Sequence, residues 1–378
     1  MAYDLRERTD DIPRPTEMRP AGVEDRGQFL SVKNLHVHFF TYAGVVKALN
    51  GFDILLERGE MSALVGESGA GKSVFAWSLL GLPKRPGKIV EGEILLRGEN
   101  VRQMPPDRLR KLRGQEISLI VSNPRSQLHP LRKVGGQIQA VAMAHQDISK
   151  KQAREAVLNT LRSVELPDPE RLFNAYPHEL SGGMAQRMLI AMALINSPEL
   201  VIADDATNGL DVTVQRQVLD LMAGLIERQH ASALMITHDL GIVAQYCKRA
   251  TIMYAGQAYE VAETKRLFEN PLHPYTQSLL GTIRSARVAA RGKPLSGIAP
   301  DLVALPPGCY LEPRCPVRRP ECRQIQPELR QVEAGHWVRC VLYPDMTESA
   351  TAAKEARPLE GTSDRFGVAM YGQTGSTG

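Results

Sequence analysis

The residues best suited to chemistry in this 378-residue chain form a glycine-rich loop, 66-GESGAGKS-73. It fits the pattern G-x-x-x-x-G-K-[ST], in which glycines let backbone N–H groups point inward around phosphates. The apolar run 61-MSALV-65 precedes it, and the helix expected after it would present its N-terminus to the same anion. The predicted phosphate-binding residues are Gly66, Ser68, Gly69, Gly71, Lys72 and Ser73.

This loop predicts a bound nucleoside triphosphate with Mg²⁺. Lys72 is expected to contact the β and γ phosphates, and the Ser73 hydroxyl is expected to ligate the metal ion. A glycine turn that matches the pattern by chance is the alternative. The strand before the loop and the helix after it argue against chance.

A second segment, 179-ELSGGMAQR-187, resembles the signature of ATP-binding-cassette (ABC) ATPases, usually LSGGQ-x-x-R. Ser181 suits a helix N-cap, and the glycines after it leave N–H groups exposed at a helix start. The spacing to 200-LVIAD-204, 208-NGLD-211 and 235-MITHD-239 also resembles this family. The resemblance covers most of residues 29 to 345.

The resemblance implies a head-to-tail dimer in which each ATP lies between one chain's phosphate loop and the other chain's signature. It implies that Asp204 supports Mg²⁺, that His238 contacts the γ-phosphate and that Asp211 closes the loop crossing the dimer interface. An aromatic ring near 40-FTY-42 would stack on adenine: Tyr42 is predicted, with Phe40 as the alternative. The residues that would grip the partner's γ-phosphate are Ser181, Gly182 and Gly183.

Two positions depart from the family pattern. Asp205 follows Asp204 where the family normally has the glutamate that acts as general base, and one methylene fewer withdraws the carboxylate by about 1.5 Å. Ser122 replaces the glutamine that reaches Mg²⁺ and the attacking water; Gln127 lies nearby but out of register. We predict slow hydrolysis in this chain's own pocket. The alternative is that Asp205 acts through an extra water.

The C-terminal part resembles the extension of the oligopeptide, dipeptide and nickel branch of ABC importers, through 270-NPLHPYTQSLLGTI-283 and a cysteine-rich segment. The spacing C-x5-C-x6-C-x17-C lacks the tight pairs of structural zinc sites and suits an iron–sulfur cluster. The resemblance implies a [4Fe-4S] cluster; zinc and free thiols are the alternatives. The predicted ligands are Cys309, Cys315, Cys322 and Cys340.

The pattern of strands and helices expected to position these residues predicts an α/β fold. Short apolar runs alternate with helical patterns, as in a mainly parallel sheet wrapped by helices, and the resemblance adds an ABC-type P-loop core with an antiparallel β subdomain. The predicted organisation is a flexible tail (1–27), a nucleotide-binding domain (28–265) with a helical subdomain (about 124–186), a small Cys-rich domain (266–345) and a flexible tail (346–378).

Composition limits the partners. The formal net charge is +4, with no dense basic run, so nucleic acid is not expected. The chain starts without a secretory signal, and its longest apolar run, 188-MLIAMALI-195, is too short to span a bilayer. We therefore expect a peripheral protein on the cytoplasmic face of the bacterial inner membrane, with other subunits spanning it.

These observations predict the ATP-binding subunit of a bacterial peptide-type importer. The expected partners are a second ATPase chain, two membrane permeases and, indirectly, an extracytoplasmic binding protein. A soluble ABC ATPase without permeases, an importer subunit for nickel or another small solute, and a scaffold that binds ATP without turnover are the alternatives. The permeases and binding protein would choose the transported solute.

Overall fold

The computed structural model of the chain describes residues 28–287 and 295–343. The predicted flexible tails, 1–27 and 346–378, lie outside the described residues. Strands and helices alternate along most of the described chain, as the apolar runs predicted. The fold class is therefore confirmed as α/β.

Two sheets organise these residues. A four-stranded antiparallel sheet has the order β2-β1-β4-β5, and an eight-stranded sheet has the order β11-β12-β10-β9-β3-β8-β7-β6. The strands are β1 (Gln28–Thr41), β2 (Gly44–Glu57), β3 (Met61–Val65), β4 (Gly87–Leu96), β5 (Glu99–Asn100), β6 (Ile117–Val121), β7 (Leu200–Asp204), β8 (Ser232–Thr237), β9 (Arg249–Tyr254), β10 (Gln257–Glu263), β11 (Arg330–Glu333) and β12 (His336–Val338).

Helices cover the larger sheet and fill the interval between β6 and β7. The helices are α1 (Lys72–Leu79), α2 (Pro106–Lys111), α3 (Pro124–Gln127), α4 (Val134–His145), α5 (Lys150–Ser163), α6 (Pro169–Phe173), α7 (Gly182–Leu194), α8 (Val212–Arg228), α9 (Leu240–Tyr246), α10 (Thr264–Glu269) and α11 (Pro274–Arg287). Within the described ranges, no helix is long and apolar enough to cross a membrane.

The parallel strands β9, β3, β8, β7 and β6 form the middle of the larger sheet. Their apolar runs are buried on both faces, as parallel strands covered by helices require. Successive side chains of β3 enter different cores: Leu64 packs with α1 and the antiparallel sheet, whereas Ala63 and Val65 pack with the helices beyond β6. Packing on both faces holds the position of β3, and the phosphate loop follows the end of this strand.

The C-terminal strands extend this sheet. β12 pairs antiparallel with β10, and β11 pairs with β12. The fully buried Glu260 of β10 lies 2.7 Å from His336 Nε2 and accepts the backbone N–H groups of Leu272 and His273. A buried carboxylate needs such partners. These contacts tie the C-terminal segment to the sheet, and the separate Cys-rich domain is not confirmed.

Candidate functional site

The phosphate loop runs from the end of β3 to the start of α1, as the sequence predicted. Two glycines are required by close contacts with neighbouring backbone. A Cβ at Gly66 would lie 2.3 Å from the Met253 carbonyl oxygen, and one at Gly71, where φ is +106°, would lie 2.6 Å from that of Ala48. No side chain fits at either position. The loop is therefore held close to β2 and β9.

Lys72 lies inside this loop. Its ammonium donates hydrogen bonds to the carbonyl oxygens of Gly66 (2.8 Å) and Glu67 (3.0 Å), and the residue is only 8% exposed. Burial lowers the pKa of Lys72, while Asp205, Asp204 and Glu67 act in the opposite direction. The result is a positive charge fixed at the centre of the glycine cradle, where it can neutralise phosphate oxygens.

Ser73 and Asp204 meet next to Lys72. Asp204 ends the fully buried strand β7 and is 8% exposed. Burial raises its pKa, whereas the hydrogen bond donated by the Ser73 hydroxyl and the charge of Lys72 lower it. A hydroxyl and a carboxylate placed together give two oxygen ligands of the kind that Mg²⁺ prefers. These two residues would hold the ion beside the phosphates.

Asp205 and His238 lie side by side at the mouth of the site. The His238 Nδ1 atom is 3.4 Å from the Asp205 carboxylate, and the histidine side chain is 69% exposed. Asp205 has a φ of +46°, which is uncommon for a residue other than glycine. Its N–H donates to the Ile236 carbonyl (2.9 Å), and its carbonyl accepts the N–H of Asn208 (3.0 Å). The Asp205 backbone is therefore fixed on both sides.

A cavity of about 770 Å³ opens above the phosphate loop. This volume is in the usual range for small-molecule sites. The cavity brings seven predicted residues together: Ser68, Gly69, Gly71, Lys72, Ser73, Asp205 and His238. The arrangement can bind a triphosphate with Mg²⁺ and place a carboxylate and an imidazole near its terminal phosphate.

The signature segment starts α7. Ser181 is the N-cap, and its hydroxyl accepts the Met184 N–H at 3.2 Å. Ser181 is exposed, and Gly182 and Gly183 are half-buried. None of these three lines the cavity above the phosphate loop. The signature is thus an open helix N-terminus, available to an anion brought by another molecule.

The loop after Asp205 connects the cavity to the signature. Asn208 lines the cavity, Leu210 lies beside Gly182, and Asp211 caps α8 by accepting the Val214 N–H at 3.0 Å. The structure therefore gives Asp211 a local role in fixing the end of this loop. Its predicted role at a dimer interface stays a prediction.

Comparison with known families agrees with this geometry. Residues 49–208 match the ABC transporter family, and residues 259–322 match the oligopeptide/dipeptide transporter C-terminal region. The dipeptide transport ATP-binding protein DppD of Bacillus subtilis is 42% identical over 330 residues, which is 87% of this chain and 98% of that protein. The chain belongs to the oligopeptide/dipeptide family of ABC transporter ATPases.

Other relatives and solved structures support the same assignment. The oligopeptide transport ATP-binding protein OppD of Escherichia coli is 40% identical over 300 residues, covering 79% of this ABC ATPase and 88% of OppD. The ATP-binding cassette MJ0796, solved as a dimer in a post-hydrolysis state with ADP and Pi, superposes with a TM-score of 0.55. It is 25% identical and covers 62% of this chain and 98% of its own. The described core is therefore an ABC cassette.

The ABC ATPase places a different aromatic residue in the cavity from the one predicted. Tyr42 lies in the turn between β1 and β2, is fully exposed and does not line the cavity; Phe40 is 48% exposed. Phe39 lines the cavity instead and is half-buried beside Gly87. The alternation of β1 side chains was the available signal, but the shifts in its pairing with β2 obscured it. Adenine stacking by Tyr42 stays a prediction.

Ser122 follows β6, whose last residue, Val121, is paired with Asp204 of β7. It is half-buried and does not line the cavity. Gln127, in α3, is exposed and donates to the hydroxyl of Ser126 at 3.1 Å. Neither side chain therefore supplies the amide expected at the end of this strand.

The four predicted cysteine ligands converge without forming a metal-binding group. All four line one cavity of about 10 Å³, and burial raises the pKa of Cys340 to about 12. Across residues 28–287 and 295–343, no set of three or more His, Cys, Asp or Glu side chains is arranged to hold a metal ion. The predicted [4Fe-4S] cluster is not supported by this arrangement.

Sequence reasoning missed one wall of the nucleotide cavity. Leu302 lines it, and the Leu302 carbonyl accepts the N–H of Lys47 in β2 at 2.9 Å. This contact joins residues that are far apart in the chain. Neither periodicity nor a motif marked Leu302, so only the folded structure identifies it.

Proposed function

We propose that this ABC ATPase is the ATP-binding subunit of a peptide importer and pairs with a second, different ATPase chain. Its own site binds ATP and hydrolyses it slowly, while its signature completes the fast site of the partner. ATP binding closes the pair and switches two membrane permeases from their cytoplasmic side, and hydrolysis resets them. An extracytoplasmic binding protein delivers the peptide. Relatives named for dipeptide and oligopeptide transport support the class of cargo.

The observation that carries the proposal is the position of Asp205, which lines the same cavity as Lys72 and Ser73. The proposal assigns nucleotide binding to the Lys72 ammonium, the Ser73 hydroxyl and the Asp204 carboxylate, which lie together at the phosphate loop. The Asp205 backbone is fixed by hydrogen bonds on both sides, so it cannot advance to offset the missing methylene. A misplacement near 1 Å of a catalytic group costs about a hundredfold in rate.

Ser122 also supports slow hydrolysis in this chain's own pocket. Ser122 directly follows β6, the strand paired with β7, and its hydroxymethyl group lacks the second methylene and the amide of a glutamine side chain. The attacking water thus loses a positioning amide as well as a correctly placed base. The signature, by contrast, retains its N-cap and both glycines.

The test is the ATPase rate of the assembled transporter carrying Lys72→Ala, compared with the matching change in the partner's phosphate loop. We expect Lys72→Ala to keep most of the rate, because the fast site belongs to the partner. The matching partner variant should lose more than about a hundredfold, because an electrostatic contact to the transition state is removed.

Single-turnover counting completes this test. A wild-type pair with one fast site should hydrolyse one ATP per dimer in the fast phase. If two ATP molecules per dimer are hydrolysed at the same rate, both sites are competent and the proposal of a slow site is wrong. This count also decides the case in which both phosphate-loop variants are inactive because closure needs two bound nucleotides.

The cysteine cluster enters the proposal as a structural element. Four thiols facing one cavity are the donor set that an iron–sulfur cluster uses, and the cluster that the resemblance implies would have to draw them into a ligand set that they do not form by themselves. We expect protein purified without oxygen to contain about four iron atoms and acid-labile sulfide per chain. Cys322→Ser should remove both, whereas Cys247→Ser should not, because Cys247 is buried elsewhere. Zinc without sulfide, or no metal at all, would contradict this expectation.

A further inference from the structure

Arg314, in the C-terminal segment, reaches the phosphate loop. Its guanidinium donates two hydrogen bonds to the Glu67 carboxylate, at 2.9 and 3.1 Å. One of its nitrogens also donates to the Tyr254 hydroxyl at 3.2 Å, and the guanidinium lies 5.7 Å from the centre of that ring. The Arg314 side chain is only 8% exposed. Two parallel hydrogen bonds from a buried arginine fix both the charge and the geometry of the pair.

Glu67 is the second residue of the phosphate loop and is held at three points. Its side chain pairs with Arg314, its carbonyl accepts from the Lys72 ammonium at 3.0 Å, and its N–H donates to the Tyr275 hydroxyl at 3.1 Å. Tyr275 is fully buried. Residues from the C-terminal part of the chain therefore hold the side chain and the backbone N–H of Glu67, while its carbonyl is held within the loop by Lys72 and by the Ala70 N–H.

The charge of Glu67 bears on the phosphates as well as on the fold. Its carboxylate is close enough to be one of the groups that raise the pKa of Lys72. Without a cation beside it, a carboxylate at this point would repel the negative phosphates that Lys72 binds. Arg314 supplies that cation from a position shielded from solvent, where screening by salt is weak.

We propose that Arg314 is a positioning residue for the nucleotide site: it neutralises Glu67 and holds the start of the phosphate loop, so that the C-terminal segment sets the affinity for ATP. The inference rests on ATP binding at this loop, as in the proposed function. It adds that the C-terminal segment takes part in nucleotide binding. Arg314 acts through Glu67 and does not touch the phosphates itself.

The experiment measures binding of a fluorescent ATP analogue with Mg²⁺ to the full-length chain. Arg314→Gln should weaken binding by about five- to tenfold, because Glu67 keeps its charge and loses its partner. Arg314→Lys should lose less, since it retains the charge without the two parallel hydrogen bonds. Arg323→Gln is the matched control: this exposed arginine pairs with Glu312 at 3.1 Å and should leave affinity unchanged.

The double variant separates a role at the nucleotide site from a general loss of stability. If Arg314 acts through Glu67, then Arg314→Gln combined with Glu67→Gln should bind within about twofold of Glu67→Gln alone. Thermal unfolding of each variant would be recorded in parallel. Wild-type affinity in Arg314→Gln would overturn the inference. It would also be overturned if Arg314→Gln lowered the affinity equally with Glu67 present and with Glu67→Gln. Should Arg314→Gln fail to fold, Arg314→Lys takes its place, and its ATP affinity is compared with and without Glu67→Gln.

The Lys72→Ala variant shows whether a negative result concerns only the role of Arg314 or the nucleotide site itself. Loss of binding in Lys72→Ala together with unchanged binding in Arg314→Gln would remove only the role of Arg314. If the wild-type chain and Lys72→Ala both fail to bind the analogue, the nucleotide site itself is wrong, and the inference fails with it.

Discussion

Gly182→Asp is expected to abolish ATP hydrolysis by the assembled transporter, lowering the steady-state rate by more than about a hundredfold. Gly182 starts α7, directly after the N-cap Ser181, where exposed N–H groups favour an anion. A carboxylate there would take up these donors and repel the γ-phosphate held by the partner. The measurement is the steady-state ATPase rate of the complex of this variant with its wild-type partner and permeases.

The chain should fold normally with this substitution. A Cβ at Gly182 would lie 3.4 Å from a Leu210 methyl group, which is ordinary contact. Gly224→Asp is the matched control, because a Cβ at that position in α8 would meet no heavy atom within 4 Å beyond its chain neighbours and the backbone of its own helix. It should assemble and retain the wild-type rate. An unchanged rate in Gly182→Asp would show that this signature serves no hydrolysing site.

Asp205→Glu is expected to accelerate hydrolysis in this chain's own pocket by about tenfold to a hundredfold. The added methylene moves the carboxylate about 1.5 Å into the cavity, while the hydrogen bonds to Ile236 and Asn208 hold the backbone in place. Adding Ser122→Gln should increase the gain, because it places a side-chain amide directly after β6, whose last residue, Val121, is paired with Asp204.

The rate must be measured in single turnover with the partner's catalytic glutamate changed to glutamine. In that background both pockets still bind ATP, and hydrolysis reports only on this chain. Asp205→Asn is the control: it keeps the length of aspartate, loses the base and should lower the residual rate further. If wild-type Asp205 already hydrolyses as fast as the Glu variant, the shorter carboxylate is sufficient and acts through an intervening water.

Much of the fold could be predicted from local sequence. The runs that became β3, β6, β7 and β8 are short, apolar and separated by helical patterns, and burial on both faces of a parallel sheet demands that composition. The strand β12 could not be found in this way. It has three residues and gains its stability from pairing with β10, more than 70 positions earlier in the chain.

In the binding site, too, some features could be predicted from local sequence and others required the tertiary structure. Sequence alone predicted the phosphate loop, the signature and the shortened carboxylate at Asp205, because each depends on residue types at fixed short spacing, where backbone conformation is set locally. Only the tertiary structure placed Phe39 in the cavity rather than Tyr42, and brought Leu302 and Arg314 to the phosphate loop. These contacts depend on strand register and on packing between distant segments, which no local pattern of residues specifies.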